Sequence, residues 1–219
     1  MTNRFQHSIV VITGAGGVLC SAFAKHLAAQ GAAVAVLDLR AEAAQAVADE
    51  ITAAGGKAIA VACNCLELAS LQAARQEIID KLGVPHALIN GAGGNHPKGT
   101  TDDEFYDKQA AKTFFDLDTE GFKFVMDLNL LGTLLPTQVF AKDMVEAGKG
   151  VILNVSSMNA FRPLTKIPAY SSAKAAVSNF TQWLAVYFAK ANIRGNAIAP
   201  GVVDGEHWDH VDSMFAKHE

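Results

Sequence analysis

Tyr170 and Lys174 stand four positions apart in Tyr170-Ser171-Ser172-Ala173-Lys174, with Ser157 upstream of both. On a helix, positions i and i+4 share a face, so a phenol and an ammonium would meet above one site. A tyrosine with its ordinary pKa of about 10 is a poor base at neutral pH. Bringing it near 7 requires about 4 kcal/mol in favour of the phenolate, part of which a neighbouring cation can supply. Ser157 would bond the oxygen that gains or loses the proton, and Asn129 could tie the lysine into a proton relay through water. Together with a glycine-rich turn at Thr13-Gly14-Ala15-Gly16-Gly17, these residues point to hydride transfer to and from a nicotinamide. An ordinary amphipathic helix with Tyr and Lys on its surface is the plain alternative, and Ser157 and the turn, in the right chain order, argue against it.

Glycine clusters alone say little, because tight turns need them anyway. This one follows an apolar run, opens a helical pattern, and has an acid, Asp38, about twenty residues on. A backbone free of side chains can approach a pyrophosphate, which the helix N-terminus then favours electrostatically. A carboxylate at position 38 accepts hydrogen bonds from the adenosine ribose and repels a 2′-phosphate, so NAD(H) is expected over NADP(H), although Arg40 lies close by.

These residues need a scaffold that gathers them. Short β-branched runs alternate with Ala-rich amphipathic stretches, the mark of a parallel sheet flanked by helices. Strands are predicted over residues 9–12, 33–37, 57–62, 87–90, 151–155 and 193–199. Helices are predicted over 18–30, 41–53, 68–81 and 121–147, and the helix bearing Tyr170 is predicted to run on to about Ala191. Right-handed crossovers make this an α/β, doubly wound sheet of the Rossmann type with helices on both faces. Gly14, Asp38, Asn90, Ser157 and Pro200 then fall at or just past the C-terminal ends of strands. Residues 95–120 exceed a minimal unit and read as a loop insertion on the ligand side, more often functional than idle.

At 219 residues the chain reads as one domain with a sizeable core. Half the residues are hydrophobic and 18% charged, which argues against disorder. A net charge of −4 gives no electrostatic reason to expect nucleic acid or an anionic membrane. No apolar run reaches the length of a membrane span, and the first residues lead straight into a strand, unlike a signal peptide; a cytoplasmic location is expected. Cys20, Cys63 and Cys65 are an odd set with no disulfide framework. Cys63-Asn64-Cys65 lacks a second pair at metal spacing, and His207 with His210 is an equally thin metal motif, so no metal is expected.

The motifs resemble those of the short-chain dehydrogenase/reductases over essentially all of residues 9–201. They are the Thr13-Gly14 turn, Asn90-Gly91-Ala92-Gly93, Asn129, Ser157, Tyr170, Lys174 and Pro200-Gly201. The resemblance implies a catalytic set of Asn129, Ser157, Tyr170 and Lys174, with Lys174 also contacting the nicotinamide ribose. It implies a cofactor site of Gly14, Gly16, Gly17, Val18, Leu19, Asp38, Asn64, Cys65, Asn90, Gly91, Ala92, Gly93, Tyr170, Lys174, Pro200, Gly201 and Val203. Asn64 stands where the family usually has an Asp beside the adenine. Gly91-Ala92-Gly93-Gly94-Asn95-His96-Pro97-Lys98 and Met158-Asn159-Ala160-Phe161-Arg162-Pro163-Leu164 are similar to the D-mannonate oxidoreductases (fructuronate reductases). That likeness implies a keto sugar acid as substrate, with His96, Lys98, Ser157 and Arg162 in contact with it.

Three departures stand out. The later glycines of the family turn are Val18 and Cys20 here. Residues 202–209 resemble the sorbitol and galactitol dehydrogenases instead, so a polyol substrate is the alternative. The chain also stops inside the substrate-covering lid, from about residue 202, without the family's final strand, which would expose a sheet edge. A nucleotide-binding scaffold with little turnover is the competing reading from another class. A homodimer or homotetramer is expected through the helices that carry Asn129 and Tyr170.

Overall fold

A computed structural model describes residues 4–201. Six parallel strands form one sheet: β1 (Ile9–Thr13), β2 (Ala33–Asp38), β3 (Lys57–Ala62), β4 (Ala87–Asn90), β5 (Gly150–Val155) and β6 (Ile193–Ile198), in the order β3-β2-β1-β4-β5-β6. The predicted strands agree with these to within a residue or two. The order reverses between β1 and β4, and Thr13 lies level with Asn90 there, so the two glycine-rich turns leave the sheet side by side. Strands covered on both faces read as unbroken apolar runs, and the buried interiors of β1 and β2 do so. Among the described residues the sheet has one strand fewer than the family fold. β3 and β6 are its edges, and β6 is largely exposed beyond Ile193.

Helices α1 (Val18–Ala29) and α2 (Ala41–Ala53) cover one face. The buried stripe of α1 is Cys20, Ala24 and Ala28, small residues at i, i+4 and i+8 that let the helix lie close to the sheet. The other face is covered by α3 (Leu68–Lys81), α5 (Gly132–Glu146) and α6 (Pro168–Tyr187), with Phe140, Met144, Leu71 and Ile78 buried against Leu88 and Ile152. Arg75 on α3 forks onto the buried Asp143 carboxylate of α5, joining the two helices.

The long helix predicted over 121–147 is two helices, α4 (Thr119–Met126) and α5, joined by a single π turn at Asp127–Leu131. The Asp118 carboxylate caps α4 by accepting from the Glu120 and Gly121 amides. Inside α5, Pro136 has no N–H to offer the carbonyl four residues back. Contrary to the sequence expectation, the continuous stretch Thr119–Glu146 has the length and apolarity of a membrane span. Half of its most apolar window is buried in the protein, and Phe140 and Met144 show why: the apolar residues serve the sheet.

The insertion at 95–120 is folded back on the helices. Turns of 3₁₀ helix at Pro97–Gly99 and Phe114–Asp116 are fixed by His96 and by a Thr113–Asp116 capping box. The Thr101 amide donates to the Lys166 carbonyl and the Lys112 ammonium to the Pro97 carbonyl. These bonds dock the insertion beside the start of α6.

Candidate active site

The glycine turn is held by its neighbours on β2. The Ala15 amide donates to the Leu37 carbonyl, and the Gly16 amide to Asp38 Oδ2 at 2.9 Å. The buried Asp38 carboxylate also accepts from the Arg40 amide at 3.0 Å, while the Arg40 guanidinium stands 3.6 Å away. Gly14 has φ +64°, and a Cβ there would lie 2.9 Å from the Ala92 backbone. A Cβ on Gly16 would lie 2.9 Å from Asp38 Oδ2. Val18 is exposed and Leu19 half-buried at the first turn of α1.

Across the switch point, Thr13 Oγ1 accepts from the amides of Gly91 (3.1 Å) and Ala92 (3.2 Å), so one buried hydroxyl shapes the second turn. A Cβ on Gly91 would overlap the sulfur of Cys20. The helix approach that the family leaves to a glycine at position 20 is thus kept by Gly91, and burial pushes the Cys20 thiol up to about 11. Asn64 spends its side chain locally, donating to Glu67 at 2.9 Å and accepting from the Leu66 amide at 3.0 Å. Cys63 and Cys65 are buried free thiols, the Cys63 sulfur accepting from the Ser70 hydroxyl, and no group of three metal-binding side chains occurs among the described residues.

Lys174 is 4% exposed, and its ammonium donates to the Val155 carbonyl at 2.8 Å. It lies 5.6 Å from the centroid of the Tyr170 ring, one helical turn away as predicted. Burial lowers the Lys174 pKa to about 8. Burial raises that of Tyr170, while a hydrogen bond with Ser157 pulls it down. The lowering expected from Lys174 is not among the causes of the shift, whose direction is set by desolvation. Ser157, buried, opens the turn Met158–Ala160 and accepts from the Asn159 amide. The π turn carries Asn129, fully buried, whose Nδ2 donates to Gly94 O (2.7 Å) and Val125 O (2.8 Å) and whose Oδ1 accepts from the Gly94 amide (3.2 Å). A Cβ on Gly93 would lie 3.2 Å from Lys174 Nζ, so Asn129, Gly93 and Lys174 form one cluster. The Pro200 carbonyl accepts from the Met158 amide, bringing Pro200 and the exposed Gly201 beside Ser157. Val203, the lid from 202, the 202–209 segment, His207 and His210 lie outside the described residues.

The expected substrate residues differ in their freedom. Lys98 points its ammonium at the Asp118 carboxylate, 3.6 Å away, and Gly121 leaves the room its stem occupies. His96 Nδ1 accepts from the Lys98 amide, and its ring packs edge-on to Phe124 at 5.2 Å. Arg162 is exposed and makes no ion pair among the described residues.

Residues 8–214 match the model of the short chain dehydrogenase family. This chain belongs to that family. An uncharacterized oxidoreductase of Haemophilus influenzae is 58% identical over 91% of this short-chain dehydrogenase and 71% of its own length. A sorbitol dehydrogenase of Cereibacter sphaeroides is 34% identical over 99% of this chain and 78% of its own. A Haemophilus structure with bound NAD, provisionally assigned as a D-mannonate oxidoreductase, superposes with TM-score 0.89 at 57% identity, covering 92% of this chain and 73% of that one.

The short-chain dehydrogenase also contains a buried polar chain that sequence reasoning missed. Thr133 and Thr137, one turn apart on α5, bond back to the Asn129 and Thr133 carbonyls. Asn90 Nδ2 donates to Thr137 Oγ1 and Asn154 Oδ1, both at 2.9 Å, and Asn154 Nδ2 donates to Thr181 on α6. One signal was available: Asn154 is a lone amide in the apolar run Val151-Ile152-Leu153-Asn154-Val155. Such a group survives burial only when hydrogen-bonded.

Proposed function

We propose that this chain is a single-domain, NAD(H)-dependent oxidoreductase that interconverts a keto sugar acid and its secondary alcohol, with D-fructuronate and D-mannonate as the pair. The observation that carries this is the 57% identity with the NAD-bound Haemophilus structure, beside which stand Ser157, Tyr170 and Lys174 at one rim of the sheet. The residues fit the cofactor. The backbone at Gly14, Gly16 and Gly17, with Val18 and Leu19 at the helix start, would approach a pyrophosphate closely, in a turn that a Cβ at Gly14 or Gly16 would distort by striking Ala92 or Asp38. Asp38 would take the adenosine ribose hydroxyls, with Asn64 and Cys65 beside the adenine. Asn90, Gly91, Ala92, Gly93, Pro200 and Gly201 would border the nicotinamide half. When bound, the nicotinamide donates or accepts the hydride.

The remaining chemistry belongs to the chain. Ser157 would hold the substrate oxygen, and Tyr170 would protonate it during reduction. Lys174 would favour the phenolate that remains, held in place by Val155 O and the Asn129 cluster. Since Lys174 titrates near 8, its charge is lost as pH rises through that value, while Tyr170 is still protonated. We expect ketone reduction, followed by NADH absorbance, to fall above about pH 8; a rate flat to pH 10 would remove Lys174 from the mechanism. The linkage to folding has the opposite sense. The folded pKa lies below the unfolded value of about 10.4, so the Lys174 contribution to stability grows as pH rises across that window.

Arg162 is assigned the substrate carboxylate, because Lys98 is already engaged by Asp118. A charged hydrogen bond contributes about 1.5–3 kcal/mol, so Arg162→Ala should raise KM for a hexuronate roughly 10- to 100-fold. The same change should leave a neutral ketose unaffected, and an unchanged hexuronate KM would sink the assignment. The primary test is NADH consumption on adding D-fructuronate, with D-fructose as the neutral comparison. A polyol substrate is the second reading, favoured by the alignment of the sorbitol dehydrogenase over 99% of this chain. Faster NAD+ reduction with sorbitol or galactitol than with D-mannonate would select it. A homodimer or homotetramer would use the outer face of α6, where Phe180, Trp183 and Tyr187 stack in a row with the last two rings exposed. Light scattering would give the mass.

A further inference from the structure

At the end of the sheet opposite the glycine turn, three adjacent strands begin side by side, and each brings one basic group. His86 immediately precedes β4, Lys149 immediately precedes β5, and Arg194 is the second residue of β6, level with Val151 of β5 and through it with Ala87 of β4. With Gly150, Val151 and Asn192 they line a cavity of about 250 Å³. Lys149 and Arg194 make no ion pair among the described residues. His86 Nδ1 accepts from the Ile9 amide at 3.1 Å, which leaves Nε2–H as the donor of the neutral ring.

The walls are fixed rather than loose. The His86 amide donates to Ile9 O and the Val151 amide to His86 O, and Asn192, in the left-handed conformation, donates through Nδ2 to Gly148 O. Basic residues often complement a helix C-terminus, but the last turns of α5 and α6 hold none, and Arg194 sits on a strand. Burial, and after it the nearby Lys149 charge, lowers the His86 pKa. Strands of this length separate the cavity from the cofactor rim by roughly 15–20 Å, at about 3.3 Å per residue.

We propose that this edge of the sheet is a binding site for a small oxyanion, a phosphate or carboxylate group, held by Arg194, Lys149 and His86. The cavity is smaller than the roughly 300–1,000 Å³ of pockets for drug-sized ligands, which suits one anionic group with a short carbon chain. Two guanidinium donors can grip such a group bidentately, with the lysine as a point charge beside it.

The test is NMR of the isotope-labelled full chain near neutral pH and at constant ionic strength, titrated separately with inorganic phosphate and with a hexuronate. Saturable shifts are expected at the His86 ring and the Gly150 and Val151 amides. Their apparent affinity should weaken at least tenfold in Arg194→Gln and in Lys149→Gln, both changes at exposed side chains, with the rest of the spectrum unchanged. Saturation by phosphate alone assigns phosphate as the ligand group, and saturation by the hexuronate assigns a carboxylate. Shifts that stay linear in both anions, or that persist unchanged in both variants, overturn the proposal.

Discussion

Tyr170→Phe is expected to lower ketone reduction by about 10²–10⁴-fold while leaving NADH affinity within a factor of a few. The substitution removes one oxygen from a half-buried ring and keeps its packing against Val125 and Ala169, so the fold should persist. What is lost is the proton donor beside Ser157, and with it the phenol next to the Lys174 ammonium. The measurement is single-turnover NADH oxidation with D-fructuronate, with NADH binding followed by fluorescence. If the variant turned over at the wild-type rate, the acid/base reading would fail, and a nucleotide-binding scaffold without turnover through this tyrosine would take its place.

The second large effect is expected at Gly14→Val. The position has φ +64°, where a β-branched residue is an outlier, and its Cβ would stand 2.9 Å from both N and Cα of Ala92. That backbone cannot yield cheaply, because the Thr13 hydroxyl holds the Gly91 and Ala92 amides. Strain and overpacking each cost about 1–3 kcal/mol, together roughly 2–6 kcal/mol. In a protein of this size that corresponds to a Tm lower by about 4–24 °C, with NADH affinity falling more than tenfold. Gly17→Ala is the control: φ there is −83° and the new Cβ would meet only Gly14 O, at 3.3 Å. Equal losses in the two variants, measured by thermal denaturation and NADH titration, would refute the steric account.

Much of this was legible in the residues. Strand–helix alternation follows from local periodicity, and Gly14, Asp38, Asn90 and Ser157 reach one rim because parallel strands all end there. The i,i+4 spacing of Tyr170 and Lys174 needed only helix geometry. What stayed hidden depends on partners distant in the chain. The π turn that carries Asn129 has no signature in Asp127-Leu128-Asn129-Leu130-Leu131, because it forms where Gly94, thirty-five residues away, supplies two of the three bonds to the Asn129 carboxamide. Lys98 reads as a free cation until the fold sets Asp118 beside it.

The contact between Gly91 and Cys20 has a historical side. A methyl at position 91 would meet the sulfur and also the Thr13 carbonyl at 2.9 Å, so shrinking residue 20 does not reopen position 91. The constraint runs one way. Where glycine already stands at 91, the buried position 20 can hold a small residue such as alanine or cysteine without a clash there. A lineage that first acquired a side chain at 91 would find that room closed. Residue 20 is therefore a place where relatives of this chain should differ without differing in what they do, and residue 91 is a place where they should agree.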